Sequence, residues 1–273
     1  MLDQYSRDLV KVFYEEHGYF IFRNIIPLKL IEDSIVEIDA ALKCQWDLYF
    51  CEDDFPGKDI AIVKLFDRNP HYRRMLYEWL NKRMLAPYNF ATLDVVKEIN
   101  KWIGIDNPMF QMAANRFHIP GENDFKTGSH QDIGIMTTES SISFWLPLVP
   151  SLRSNGSVKV WDKSHVEDVI VPEGPDYRGH SWISQSILEK YEEIWEEYYP
   201  GDLLIFNTKL IHTSTSNNSN NCRWATIFRF DNADDNHFFD LEENPLHKGY
   251  IMVPDKKEKS GFQGAELKKM SNR

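Results

Sequence analysis

Hydrophobic positions recur at helical spacing through the first hundred residues and in short, strand-like runs after that. Over residues 3–17, Leu9, Val10, Val12, Phe13 and Tyr14 fall at helix-like intervals, with Gly18 placed to cap them. Tyr19 to Arg23 reads as a short apolar strand. Pro27 opens a second helix to about Leu42, with Leu30, Ile31, Ile35 and Ile38 on one stripe and acidic residues between. Residues 45–63 carry no single period. His71 to Lys82 and Ala91 to Ile103 predict two more helices, the second with Val95, Val96, Ile99 and Ile103 inward.

After Gly104 the texture changes. Met109 to Ile119, Gly134 to Thr137, Ile142 to Pro147, Ser157 to Trp161, Trp182 to Ser184, Leu203 to Phe206 and Arg223 to Phe230 read as strands, separated by turns rich in Gly, Pro, Asn and Ser. Tyr191 to Tyr199 suits a helix or a strand. From Asp231 the chain turns polar, and Lys256 to Arg273 has no core pattern, as expected of a surface appendage. Helices first and many short strands after predict an α+β protein. Its helical part covers about 1–104. A double-stranded β-helix, the jelly-roll or cupin-like barrel, covers about 105–231, and a polar extension about 232–273. No linker divides the chain, so 1–273 reads as one domain.

Composition narrows the function classes. Apolar residues make up 42% of 273 positions and aromatics 14%, ample for a core. A formal charge of −11 argues against nucleic acid or an anionic membrane as partner. Cys44, Cys51 and Cys222 have no CxxC spacing, so reduced thiols and a cytoplasmic location are expected. The N-terminus lacks a signal-peptide pattern, and no apolar run is long enough to span a bilayer.

The chemistry concentrates in Thr127-Gly128-Ser129-His130-Gln131-Asp132. On an extended backbone, side chains two apart point to the same side, so His130 and Asp132 can reach one point. An imidazole and a carboxylate converging there make two-thirds of the 2-His-1-carboxylate triad that holds non-haem Fe(II) with coordination sites open. Nine histidines and 42 acidic residues give about one such pair by chance. The chain has a second, His165-Val166-Glu167. The missing ligand is sought at His212, which ends the apolar run launched by Gly201-Asp202. Thr213 to Asn221 then reads as a hairpin loop, and Arg223 to Arg229 returns as a strand. Such a hairpin sets Arg223 roughly opposite His212, where a guanidinium fork suits the carboxylate of a metal-bound acid.

With these residues in view, the chain resembles the phytanoyl-CoA dioxygenase family of Fe(II)/2-oxoglutarate oxygenases from about residue 13 to residue 230. Phe13 to Asn24 is similar to that family's opening helix and strand, and Lys64-Leu65-Phe66-Asp67 to its early lysine segment. Met112 to Arg116 is similar to the strand before the metal motif, and Trp145 to the tryptophan on the next strand. Asn155-Gly156-Ser157 through Ser164-His165 resembles its turn segment, with Asp162-Lys163 where Pro-Gly is usual. His212, Ser214 and Arg223 match the distal histidine, the serine two later and the arginine eleven later.

The resemblance implies that His130, Asp132 and His212 bind Fe(II), with 2-oxoglutarate as co-substrate, O2 as oxidant and ascorbate in support. It implies that Arg223 and Ser214 hold the far carboxylate of 2-oxoglutarate, and that Lys64, Met112 and Trp145 line its pocket. It makes His165-Val166-Glu167 a structural turn. The expected activity is hydroxylation of a small molecule with release of succinate and CO2. A non-catalytic binding protein, or a cupin-type lyase or isomerase that ignores 2-oxoglutarate, is the alternative. Such a lyase has no need of Arg223.

Overall fold

The computed structural model describes residues 2–50, 54–68, 70–121, 128–166, 169–170, 172–173 and 182–235. Helices come first: α1 (Arg7–His17), α2 (Leu28–Tyr49), α3 (Lys58–Arg68), α4 (Pro70–Lys82), α5 (Ala86–Ala91) and α6 (Asp94–Trp102), with strand β1 (Tyr19–Phe22) between the first two. Then follow β2 (Pro108–His118), β3 (Ile142–Pro147), β4 (Val158–Trp161), the short α7 (Gln185–Leu188), β5 (Glu193–Trp195), β6 (Leu203–Asn207), β7 (His212–Ser214) and β8 (Arg223–Asn232).

Helix α1 ends where its glycine predicts. Gly18 has φ 80°, and its amide donates to Tyr14 at 2.8 Å. A Cβ there would also run into the His165 ring, so this turn needs glycine twice over. Helix α2 outruns its expected end at Leu42. Its buried stripe of Ile31, Ser34, Ile38 and Leu42 continues to Trp46, which stacks on Phe50 at 4.1 Å. The helix expected over Ala91 to Ile103 is α6, which starts later, at Asp94; the short α5 ends at Ala91, with Thr92-Leu93 between the two.

The strands form two antiparallel sheets. One has five strands in the order β1-β6-β3-β8-β2, the other three in the order β5-β4-β7. Strand alternation divides the larger sheet into two faces. Ala114, Trp145, Leu204, Phe206, Ala225 and Ile227 cluster with Val158 and Val160 of the smaller sheet. The intervening positions, Ala113, Phe144, Leu146, Leu203, Ile205, Phe228 and Phe230, pack with Ile38, Leu65, Leu80, Phe90 and Ile99 from the helices. Strand β8 is therefore buried along its whole length. Its inward face, read by parity, is Arg223, Ala225, Ile227 and Arg229.

Three strand or turn expectations are corrected. Gly134 to Thr137 is not a strand: Asp132–Ile135 is a 3-10 turn. The Thr137 and Thr138 amides donate to the Asp231 carboxylate at 2.9 Å instead of to a ladder. Trp182 to Ser184 contributes only a single bridge, Trp182 to Glu173. Within Tyr191 to Tyr199, left open between helix and strand, only Glu193–Trp195 forms a strand, β5. The expected hairpin after His212 does not form either. Strand β8 already has β2 and β3 on its two edges, so β7 pairs with β4 and the loop crosses from one sheet to the other. Thr127, Cys51 and residues 236–273 lie outside the described residues.

Candidate metal centre and its cavity

His130 and His212 are brought together by backbone. They form an isolated antiparallel bridge, each amide donating to the other's carbonyl at 3.0 Å, with ring centroids 4.3 Å apart. Gln131 is extended (φ −108°, ψ 143°), which turns Asp132 to the same side as His130, as the two-residue spacing predicts. Asp132 Oδ1 lies 3.7 Å from His130 Nε2, and Oδ2 lies 3.7 Å from His212 Nε2. Ligand atoms of all three residues fall within 4.8 Å of one another.

Each imidazole is oriented through its other nitrogen. His130 Nδ1 faces the Gly128 carbonyl at 2.7 Å, and His212 Nδ1 the Leu210 carbonyl at 3.0 Å. A carbonyl can only accept, so both rings carry their proton on Nδ1 and turn a bare Nε2 toward Asp132. Burial, with His130 nearby, pushes His212 down to about 4, so it is neutral and ready to ligate near pH 7.

Asp132 is fixed by residues that sequence reasoning did not single out. Arg229 Nε donates to Oδ2 and Nη2 to Oδ1, each at 2.8 Å, and Ser143 donates to Oδ2 at 2.7 Å. Burial alone would raise this carboxyl, but Arg229 above all, with His212 and His130, holds it well below the usual range. Oδ2 is crowded with donors, whereas Oδ1 keeps a spare lone pair on the side of His130. The signal for Arg229 was present in the sequence: it shares the parity of Arg223 on an apolar strand, so both must point inward. Ser143 shares the facing of Trp145 on β3, but its place beside Asp132 depends on the register of β3 with β8, which sets it opposite Arg229.

A cavity opens beside the three ligands, lined among others by His130, His212, Trp145, Ser214, Arg223 and Arg116. Arg223 is wholly buried. Its Nη2 donates to Ser214 Oγ at 3.0 Å, and its guanidinium lies 5.7 Å from the Trp145 ring centre. Its Nε and Nη1 have no hydrogen-bond partner among the described residues. Burial pushes Arg223 down to about 9, which still leaves it cationic at neutral pH.

The other two family-implied residues fall elsewhere. Met112 touches Arg229, accepting from Nη1 on its sulfur at 3.2 Å. Lys64 does not line the cavity. Helix α3 turns Ala61, Ile62, Leu65 and Phe66 inward, so Lys64 is exposed, its ammonium 5.5 Å from the Trp46 ring. His165, of the duplicate triplet, packs on Gly18 and bonds the Glu15 carbonyl at 3.1 Å, while Glu167 lies outside the described residues.

Two neutral imidazole nitrogens and one carboxylate on one side of a cavity suit a ferrous ion with open coordination positions. The two unpaired Arg223 donors suit a carboxylate on an acid bound to that ion. The donor set and the orphaned guanidinium thus fit iron and 2-oxoglutarate.

Comparison with known proteins agrees. A probable phytanoyl-CoA dioxygenase of Caenorhabditis elegans is 24% identical over 247 residues, 81% of this chain and 74% of that protein. Among solved structures, the epimerase SnoN from nogalamycin biosynthesis, in complex with Fe3+, alpha ketoglutarate and nogalamycin RO, superposes with TM-score 0.55 at 12% identity. That match covers 83% of this chain and 84% of SnoN. The carbocyclase SnoK of the same biosynthesis gives 0.53 at 13%, covering 84% of each chain. The non-heme monooxygenase ThoJ gives 0.55 at 12%, covering 82% and 77%. At these identities the structures speak for the fold. The family model of phytanoyl-CoA dioxygenase matches residues 14–225, most of the chain, and the protein belongs to that family.

Proposed function

We propose that the protein is an Fe(II)- and 2-oxoglutarate-dependent dioxygenase that hydroxylates a small molecule and releases succinate and CO2. The single observation that carries this reading is the pairing of a His-Asp-His cluster with a buried, half-unsatisfied arginine facing the same cavity. A buried guanidinium with idle donors is unfavourable unless something anionic meets it. Its place beside the metal ligands supports giving it to the co-substrate. A metal lyase or isomerase that ignores 2-oxoglutarate would have no use for it.

In this reading His130 Nε2, Asp132 Oδ1 and His212 Nε2 hold the iron. Arg229 and Ser143 keep Asp132 ionised and engaged at Oδ2. Arg223 and Ser214 take the distal carboxylate of 2-oxoglutarate, and Trp145 walls that pocket. Bound iron and 2-oxoglutarate supply the oxidation: one atom of O2 goes into succinate as CO2 leaves, the other into the product hydroxyl. The chain orients the reactants and excludes water, through the core that closes round β8. An aspartate at the carboxylate position, where halogenases of this kind have a small residue, favours hydroxylation over halogenation. The two sheets are read as the double-stranded β-helix expected from the sequence. The test is succinate formation from 2-oxoglutarate with Fe(II) and ascorbate, at least slowly without substrate. His212→Ala should abolish it, and undiminished turnover in that variant would sink the reading.

A further inference from the structure

One positive group on the cavity wall has no part in this scheme. Arg116 lies on β2, where Ala225 is its cross-strand partner and Arg223 sits diagonally beyond on the same face. It lines the same cavity as His130, His212 and Arg223. Among the described residues, its hydrogen-bond partners are neutral. Tyr77 Oη lies 3.4 Å from Nη1, and the Asn81 amide oxygen, with that amide turned to face it, lies 3.1 Å from the same nitrogen. No carboxylate of the described residues comes within ion-pair reach, although the chain as a whole carries a charge of −11.

The charges around the cavity can be counted. Asp132 is matched by Arg229. On the function proposed above, the two negative charges of 2-oxoglutarate balance the two of the ferrous ion. Arg223 and Arg116 then remain as surplus positive charge facing a partly desolvated space. Here a bound anion would be stabilised far more than at the protein surface. Nη2 and Nε of Arg116 have no partner among the described residues, so the fork is free to take an oxyanion edge-on.

We propose that Arg116, with the Tyr77 hydroxyl beside it, is the subsite for a carboxylate on the substrate, so that the hydroxylated molecule is an organic acid anchored by its charge. This rests on the oxygenase reading. It goes further in naming a substrate class and a specificity residue distinct from the one that serves 2-oxoglutarate.

The test uses the full chain loaded with Mn(II) and saturating 2-oxoglutarate, titrated calorimetrically with matched pairs of straight-chain and aryl carboxylic acids and their primary amides. Acids should bind about tenfold or more tighter than their amides, the scale of a charge-assisted hydrogen bond. Arg116→Gln should erase that preference and Arg116→Lys restore part of it. The affinity for 2-oxoglutarate, which also reports that each variant is folded, should stay within about twofold. Equal binding of acids and amides, or no binding of any acid, overturns the proposal. So does a loss of 2-oxoglutarate affinity in Arg116→Gln, which would assign Arg116 to the co-substrate. Failure of the wild-type protein to bind 2-oxoglutarate at all would instead count against the oxygenase reading.

Discussion

Arg223 and Arg229 leave the same face of one strand six residues apart, and both are almost inaccessible, at 0% and 2% exposure. Their surroundings are opposite. Arg229 is spent: Asp132 takes its fork at 2.8 Å, Ser143 lies 3.1 Å from its Nε, and the Met112 sulfur takes Nη1. Among the described residues, Arg223 has one hydroxyl partner and two nitrogens without a hydrogen bond. A buried ion pair is stable because each charge compensates the other's lost hydration. A buried lone cation is a standing cost, tolerated where something other than folding selects for it. On the function proposed above, the difference separates an arginine that fixes Asp132 from one that takes the co-substrate.

Removing each guanidinium should therefore act in opposite directions on the apoprotein. Arg229→Met strands the Asp132 charge in the core and should lower the unfolding free energy by about 3–5 kcal/mol, read from urea titrations. Part of that loss should return on adding Mn(II), because the cation replaces the missing partner. Arg223→Met removes an uncompensated charge and should leave apoprotein stability unchanged or raised. Equal losses in the two variants would erase the distinction.

Acid should expose the same core from another side. Unfolded His212 takes a proton near its ordinary 6.5, while the folded residue, depressed by burial, does so only near 4. Between those values the unfolded chain holds the extra proton, so apoprotein stability falls as pH is lowered through this window. His212→Gln should flatten that part of the profile relative to wild type, and an unchanged slope would contradict the assignment. A smaller effect is expected at Ser143. Removing its hydroxyl in Ser143→Ala should cost about 1 kcal/mol and weaken Mn(II) binding by about tenfold, measured by calorimetry. If Ser143→Ala leaves metal affinity untouched, Asp132 does not need its second oxygen held.

Much of this site was legible in the sequence, for a reason that sharpens the contrast between the arginines. His130 and Asp132 converge because one extended residue stands between them, and Ser214 meets Arg223 where residues with matching roles were expected. The route from His212 to Arg223 was misjudged. Loop composition cannot show that both edges of β8 are already occupied, so a crossing between sheets read as a hairpin. The family resemblance implies Lys64 in the pocket, but the burial of Leu65 and Phe66 turns it outward. Period-two alternation gives Arg229 the same facing as Arg223. Ser143 and Arg116 take their meaning from strand register, which no single segment encodes.

The most direct measurement is the affinity of 2-oxoglutarate for Mn(II)-loaded protein, wild type against Arg223→Met, by calorimetry. If the idle guanidinium waits for the co-substrate, wild type binds and the variant is weaker by roughly a hundredfold, as expected when one member of a desolvated charge pair is removed. Equal affinities in the two proteins, or no binding to the wild type, would contradict it.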